Sequence, residues 1–545
     1  MKRLLVFFTF SCVSHIAFSQ LPADFEKQVD EVCKEWSKPA GPGGVVGVAL
    51  DGKLVFAKGY GLANLETKTP NNPETVMDVG SVSKQFTAMS ILLLEEQGKL
   101  KTSDDFTKYI PEVPTFGQTI TIDNLLHMTS GLRDYLTLMA GEGWNLVDLR
   151  TFQDALDVMS RQTGANDKPG DKWNYCNAGY MMMAIIVERV SGKSLAEFAK
   201  ENIFKPLGMN DTLYVDNDNL VVPNRAISYA PSPTGGYQFL YSSLAIYGDG
   251  GVHTTLADMV KWHENFYHNE LGKKDQGLID KMLTTAKLNN GTDTKYGCGL
   301  MSEDFHGHQM WQHGGNWLGF NAMTARIADK HLSVFTFGND GTNLSSPFNK
   351  KIAAIVLGIK DQTEHKEIEL SEDKLKAVVG TYELPDHRTA TITLEGKQLS
   401  EQVTGQPKVP IFPESERRFF LKIVDAQFEF SFDDKGNVTG GAIIQRGVRV
   451  PLTKKSEFKP TDAQMNAFVG KFKSFDMEMS IEMAVNNSKL MVKLPDGELE
   501  ATVLSPDKAV AQGLTLNLML DSTGVVRGFT LDMGRAIGMR FLKRA

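Results

Sequence analysis

Cysteine is scarce in this chain, with four in 545 residues, at Cys12, Cys33, Cys176 and Cys298. So sparse a set excludes a disulfide scaffold, and stability has to come from packed cores. Past the N-terminus no run reaches the roughly 18 apolar residues of a membrane span. Positive charge is not in excess either: the formal net charge is −8 and no long basic run occurs, which argues against a nucleic-acid partner. Two widespread hydrolase signatures are missing. There is no Gly-x-Ser-x-Gly elbow, and His263-Glu264 is followed by Tyr267 where a zinc helix would carry its second histidine. No metal or other cofactor is expected.

What is present is a globular composition, 41% hydrophobic and 23% charged. At roughly 150 residues per domain the length suggests two to four domains. The N-terminus, "MKRLLVFFTFSCVSHIAFSQ", has Lys2 and Arg3 before an apolar run, then small residues at Ala17 and Ser19. That is the pattern of a secretory signal over residues 1–19, cut after Ser19, so the protein is expected to be exported, either periplasmic or secreted. Thr9 and Phe10 fit poorly before a lipidated Cys12. Cleavage would leave Cys33, Cys176 and Cys298, enough for one bridge.

The stretch Gly44 to Gly61 has two β-rich runs around Asp51-Gly52, the signature of a hairpin with a type I′ turn. Ala322 to Ile327 and Leu332 to Phe337 form a second hairpin. Helices are expected over Ser83 to Gln97, Ala178 to Val190 and Ala257 to Tyr267. Terminal strands with helices between them predict an α+β domain over 20–360, an antiparallel sheet covered by a large helical region. After Gly358 a charged stretch, "KDQTEHKEIELSEDK", reads as a linker or short exposed helix, and short β-rich runs follow. Val379-Gly380-Thr381-Tyr382 is echoed by Val469-Gly470-Lys471-Phe472, and Asp434-Lys435-Gly436 by Ser522-Thr523-Gly524. The repeat predicts two small β-barrel or sandwich domains, 361–457 and 458–545, that fold independently of the first domain. On that expectation a chain ending near residue 365 would keep its activity.

Four Ser-x-x-Lys patterns occur, at Ser81/Lys84, Ser371/Lys374, Ser456/Lys459 and Ser505/Lys508. Context separates them. Ser81 and Lys84 stand at the head of a helix whose Phe86, Met89, Leu92 and Leu93 imply burial, whereas the other three lie in charged or turn-rich surroundings. A serine hydroxyl needs a neighbouring base, and spacing i,i+3 sets Lys84 one turn from Ser81 on the same face. Tyr175-x-Asn177 falls just before a strongly apolar helix. There the tyrosine could carry a proton between serine, lysine and leaving group, and the asparagine amide could bond both lysine and substrate. On spacing alone a loop aromatic and a helix cap are the better reading, since Tyr267-His268-Asn269 repeats the tripeptide. His313-Gly314-Gly315 precedes the second hairpin; its glycines allow close approach to a ligand, and the Asn316 amide could join that of Ser81 as an oxyanion donor.

Taken in order, these three elements resemble the serine β-lactamase and penicillin-binding superfamily, in its branch related to class C β-lactamases, D-aminopeptidases and esterases. "LLHMTSGLRDY", "NIFKPLGMNDT", "GDGGVHTTLADMVKW" and "YGCGL" agree with it, so that the resemblance covers about Phe25 to Leu357. It implies an acyl-enzyme on Ser81, with Lys84 and Tyr175 catalytic, and with Asn177, His313, Gly315 and Asn316 facing substrate or oxyanion. The tail resembles the lipocalin-like barrels that often follow such domains. Two positions depart from the family pattern. Cys176 replaces a serine or other small residue, and His313 replaces the usual lysine, taking away a permanent cation for a substrate carboxylate.

The expected function is an exported serine hydrolase cleaving amide or ester bonds of small peptide-like substrates, some containing D-amino acids, with cell-envelope association an open possibility. The alternatives are a non-catalytic penicillin-binding-like sensor and an accessory cell-envelope binding module in which the β domains do the work. His313 is further expected to support the proton network of Tyr175 and Lys84.

Overall fold

Residues 21–217, 219–359, 365–385, 388–404, 408–422, 426–445, 448–456, 458–495 and 497–544 are described by the computed structural model. Residues 1–20, on which the expected secretory signal and its cut after Ser19 fall, and residues 360–364 of the charged stretch lie outside the described residues.

The two hairpins foreseen at opposite ends of the first domain are parts of one sheet. Strands β1 (Gly44–Leu50) and β2 (Lys53–Tyr60) meet at Asp51 and Gly52, whose φ angles of 47° and 73° are the left-handed pair of a type I′ turn. From the far end come β3 (Met301–Phe305), β4 (His308–Trp317), β5 (Phe320–Ile327) and β6 (Leu332–Gly338), giving the order β3-β4-β5-β6-β1-β2. All neighbours are antiparallel, and β1 closes on β6 from Gly44↔Gly338 to Leu50↔Leu332. The His-Gly-Gly segment precedes the second hairpin, as read from sequence, and lies inside β4, paired with β5.

One face of the sheet is covered by α1 (Phe25–Val32) and α6 (Ser345–Val356), which enclose Trp36, Val46, Val48 and Ile352. The other face meets the helical region: α2 (Lys84–Glu96), α3 (Tyr135–Gly141), α4 (Asn177–Ser191) and α5 (Leu256–Glu264). Three of these fall close to the helices read from sequence. Every residue of α2 from Lys84 to Leu94 is buried, the placement of a helix that is apolar nearly all round. Lys84, Gln85, Thr87 and Ser90 are therefore interior polar groups and must find partners inside.

The tail forms two closed eight-stranded barrels. The first runs from Gly380–Glu383 to Val448–Lys454 and the second from Gly470–Ser474 to a last hairpin, β7 (Val526–Met533) and β8 (Ala536–Lys543). Their duplication extends to backbone detail. Gly380 and Gly470, at φ 146° and 154°, each open a first strand, and the turn glycines Gly436 and Gly524 have φ 81° and 83°.

The two barrels differ in what they pack on. The first encloses an apolar cluster of its own, including Leu375, Tyr382, Phe419 and Phe430. The apolar residues of the second belong to the same buried cluster as α2 and α4. At the joint Asp476 accepts from Arg133 at 3.2 Å, from the Thr163 amide at 2.7 Å and from the Arg540 amide at 2.8 Å. The Arg133 and Asp476 side chains are 3% and 0% exposed, so this charged joint is sealed from water. The independence expected of the tail therefore does not extend to the core of the second barrel.

Candidate active site

A 3-10 turn, Gly80–Ser83, delivers Ser81 to the head of α2, and Lys84 begins the helix proper. Buried and one turn away, the Lys84 ammonium donates to Ser81 Oγ at 2.9 Å, to Asn177 Oδ1 at 2.9 Å and to the Asp249 carbonyl at 2.6 Å. Three donors thus meet three acceptors, the set that satisfies a lysine in its charged form. That is how a fully enclosed cation is held on this helix.

Asn177 opens α4, its amide donating at 2.6 Å to Asp134, which also caps α3. Between Tyr175 and Asn177, Cys176 is buried with its thiol toward the Leu132 and Arg133 carbonyls, and burial pushes that thiol up to about 12. It is a packing residue. Asp249, below Lys84, takes the Tyr135 hydroxyl at 3.2 Å; burial lifts its carboxyl to about 6, against the pull of Lys84. Among the described residues Cys33, Cys176 and Cys298 are all free.

The β4 backbone reaches this serine turn directly. A Cβ added to Gly315 would lie 1.9 Å from the Val79 carbonyl and 2.7 Å from the Ser81 amide nitrogen, so any side chain there would push the strand away. Gly315 thus serves the approach of one backbone to another, and with it the Asn316 amide comes beside Ser81. His313 bonds through Nδ1 to the Gly314 carbonyl at 2.6 Å and through Nε2 to the Tyr296 hydroxyl at 3.2 Å. A carbonyl only accepts, so Nδ1 carries hydrogen, while the contact between Nε2 and the Tyr296 hydroxyl is open to either donor. Burial holds the Tyr296 phenol well above its ordinary value, in keeping with a donor. The His313 and Tyr175 rings stand with centroids 6.1 Å apart.

Ser81, Tyr175, Asn177, His313 and Asn316 line one open cavity of about 800 Å³. Lys84 and Gly315 stand behind its wall. The structure thus brings together all seven residues singled out from sequence. The rival patterns stay apart: Lys374 pairs with Glu416, Ser505 bonds Asp507 at 2.6 Å, and Asn269 holds the Leu271 and Asp275 carbonyls. Sequence reasoning missed Asp249, Tyr296 and Asp134, although they lie in "GDGG", "YGCGL" and "LLHMTSGLRDY", stretches already noted. It missed Arg535 entirely. The turn between β7 and β8 brings this residue to the same cavity, with its guanidinium 4.7 Å from the centre of the Tyr175 ring. Among the described residues no group of three His, Cys, Asp or Glu could hold a metal ion, and no helix is long and apolar enough to cross a membrane.

The model of the Beta-lactamase family matches residues 25–357, more than half of the chain, and a domain of unknown function, DUF3471, matches residues 364–446. Penicillin-binding protein 4* of Bacillus subtilis is 29% identical over 417 residues, 72% of this chain and 90% of that protein. A D-aminopeptidase of Brucella anthropi is 29% identical over 327 residues, covering 58% of this chain and 60% of that protein. Among solved structures, the octameric penicillin-binding protein homologue from Pyrococcus abyssi superposes with a TM-score of 0.57 at 23% identity, over 88% of this chain and 99% of that one.

Proposed function

The chain belongs to the Beta-lactamase family, and from that premise we propose that it is a serine hydrolase acting through an acyl-enzyme on Ser81, cleaving amide or ester bonds of small peptide-like substrates. The observation that carries this reading is the 2.9 Å bond between Lys84 and Ser81 at the floor of an open cavity.

Attack by Ser81 Oγ on a carbonyl needs the hydroxyl proton to leave. Because Lys84 already donates three hydrogen bonds, its charge lies beside the forming alkoxide, and the proton moves to Tyr175 acting as its phenolate, whose ring centre lies 4.9 Å from the Lys84 ammonium. The Ser81 and Asn316 amides take the oxyanion. Tyr175 returns the proton to the leaving group, and water then releases the acyl chain from Ser81. Asn177, held by Asp134 and Lys84, offers its remaining amide hydrogens to the substrate backbone. The relatives named D-aminopeptidase support an amide substrate with a D-residue beside the scissile bond. The pattern of residues 1–19 supports action outside the cytoplasm.

The test is covalent. Incubation with a fluorophosphonate probe or a slowly hydrolysed acyl ester should add one acyl or phosphonyl mass to the tryptic peptide bearing Ser81. Ser81→Ala should lose both the adduct and turnover, by about 10³-fold or more. An adduct on another serine, or turnover surviving in Ser81→Ala, would overturn the reading.

A further inference from the structure

A serine hydrolase with a histidine in place of the permanent cation of its third motif would have less to offer a substrate carboxylate. The cavity nevertheless has a cation at its mouth, and it comes from the far end of the chain. We propose that Arg535, on the second barrel, is a specificity-determining residue that binds a carboxylate on the leaving-group side of the scissile bond. The proposal rests on Ser81 being the nucleophile of this cavity.

The turn that presents Arg535 is built for position. β7 and β8 are joined by two residues, with Met533 paired to Ala536 and Gly534 at φ 53°, the angle a tight hairpin needs at its first central residue. The hydrolase domain grips this turn through its backbone. The Arg535 carbonyl accepts from Asn166 Nδ2 at 2.9 Å and from the Asp134 amide at 3.3 Å, and Asn166 Oδ1 receives the Ile537 amide at 2.8 Å. Arg133 donates to the Ile537 and Gly538 carbonyls, both at 3.0 Å. Asp134 also holds the Asn177 backbone amide through its carboxylate, so one residue ties the turn, gripped by its own N–H, to the start of α4.

Backbone fixation leaves the Arg535 side chain available. It is exposed and lies over the Tyr175 ring at 4.7 Å. Of the other cations lining the cavity, Lys350 pairs with Glu303 at 2.6 Å and Arg225 lies within electrostatic reach of the buried Asp78 carboxyl, whereas Arg535 is the one of the three that stands over the Tyr175 ring. Among the described residues Arg535 has no carboxylate partner. A guanidinium presents paired N–H groups that match a carboxylate, and its contact with Tyr175 sets it beside the group that returns a proton to the leaving group. Recognition of the departing half of the substrate follows from that neighbourhood.

The experiment uses a matched pair of substrates, hippuryl-phenyllactate, whose leaving group has a free carboxylate, and the same depsipeptide capped as its carboxamide, each in both enantiomers. The wild-type protein should prefer the carboxylate. Arg535→Ala should lower the ratio of kcat/KM values, carboxylate over carboxamide, by about tenfold or more, mainly through KM. Arg535→Lys should recover part of the ratio and Arg535→Glu should depress it further. An unchanged ratio in Arg535→Ala, with Ser81 still acylated, would overturn the role of Arg535 and leave the hydrolase intact. If neither substrate is turned over and no Ser81 adduct forms, the hydrolase reading fails and the proposal falls with it.

Discussion

His127 shows how far a single buried residue can depart from its ordinary chemistry. Its Nδ1 faces the Asp123 carbonyl at 3.0 Å and its Nε2 the Thr284 carbonyl at 3.1 Å, with Cys298 Sγ 3.8 Å from Nε2. A neutral imidazole would turn a lone pair toward one of those oxygens; the charged ring donates to both. Burial works against that charge, but Cys298 and the Asp123 carboxylate outweigh it and carry the pKa up to about 11. With the folded value above the unfolded one, near 6.5, the stabilisation is complete below about pH 6.5 and is lost as pH rises toward 11. Chemical denaturation across that range should show the wild-type protein losing stability relative to His127→Gln, by up to about 1.4 kcal/mol per pH unit. Parallel profiles would mean that His127 is neutral.

At the scale of the element, β4 carries the site because it touches the serine turn at one glycine and not at its neighbour. A Cβ on Gly314 would meet the Ala322 carbonyl and Met323 Sδ at 3.5 Å, an ordinary contact, whereas one on Gly315 would sit 1.9 Å from the Val79 carbonyl. Gly314→Ala should keep most of its activity and its Tm. Gly315→Ala should lose about 1–3 kcal/mol of stability from the forced shift, and kcat by about 10²-fold as Asn316 draws away from Ser81. Steady-state kinetics and thermal melts of the two variants check this, and equal effects would remove the oxyanion role from the strand.

For the whole molecule the decisive feature is that a hydrolase domain and the last of two duplicated barrels share one core and one cavity. Met477 and Met533 of the barrel pack onto Gly141 at the end of α3, where an added Cβ would meet Met533 Cε at 2.4 Å. A chain ending at residue 455 would uncover that apolar face, strand Arg133 without Asp476 and lose Arg535. It should melt at lower temperature than the full chain, aggregate more readily, and show no preference between the depsipeptide and its carboxamide. Asp476→Asn in the full chain should reproduce part of the loss in Tm, since Arg133 would keep its buried charge without the countercharge. A truncated chain with full Tm and full preference would show that the barrel is an appendage.

The sequence by itself determined the local and the periodic. The Asp51-Gly52 turn, the buried helix behind Ser81, the end of α4 at Gly192, whose φ of 74° suits a glycine, and the twofold repeat of the tail all follow from short-range sterics and from which residues favour burial. Most of the site was legible for the same reason: Ser81 and Lys84 share a helix turn, and Tyr175 and Asn177 flank a helix start, so spacing carries their geometry. Tertiary structure decided what spacing cannot carry. The third element is held as a strand because β5 pairs with it across its length, and Gly315 is needed for a backbone contact more than 230 positions away in the chain. His313 bonds to Tyr296, a partner supplied from a loop before the sheet. Arg535 had no signal in "MGRAIG", a hairpin turn like many others. Its place beside Tyr175 comes from the docking of one domain on another, and no local pattern encodes that encounter.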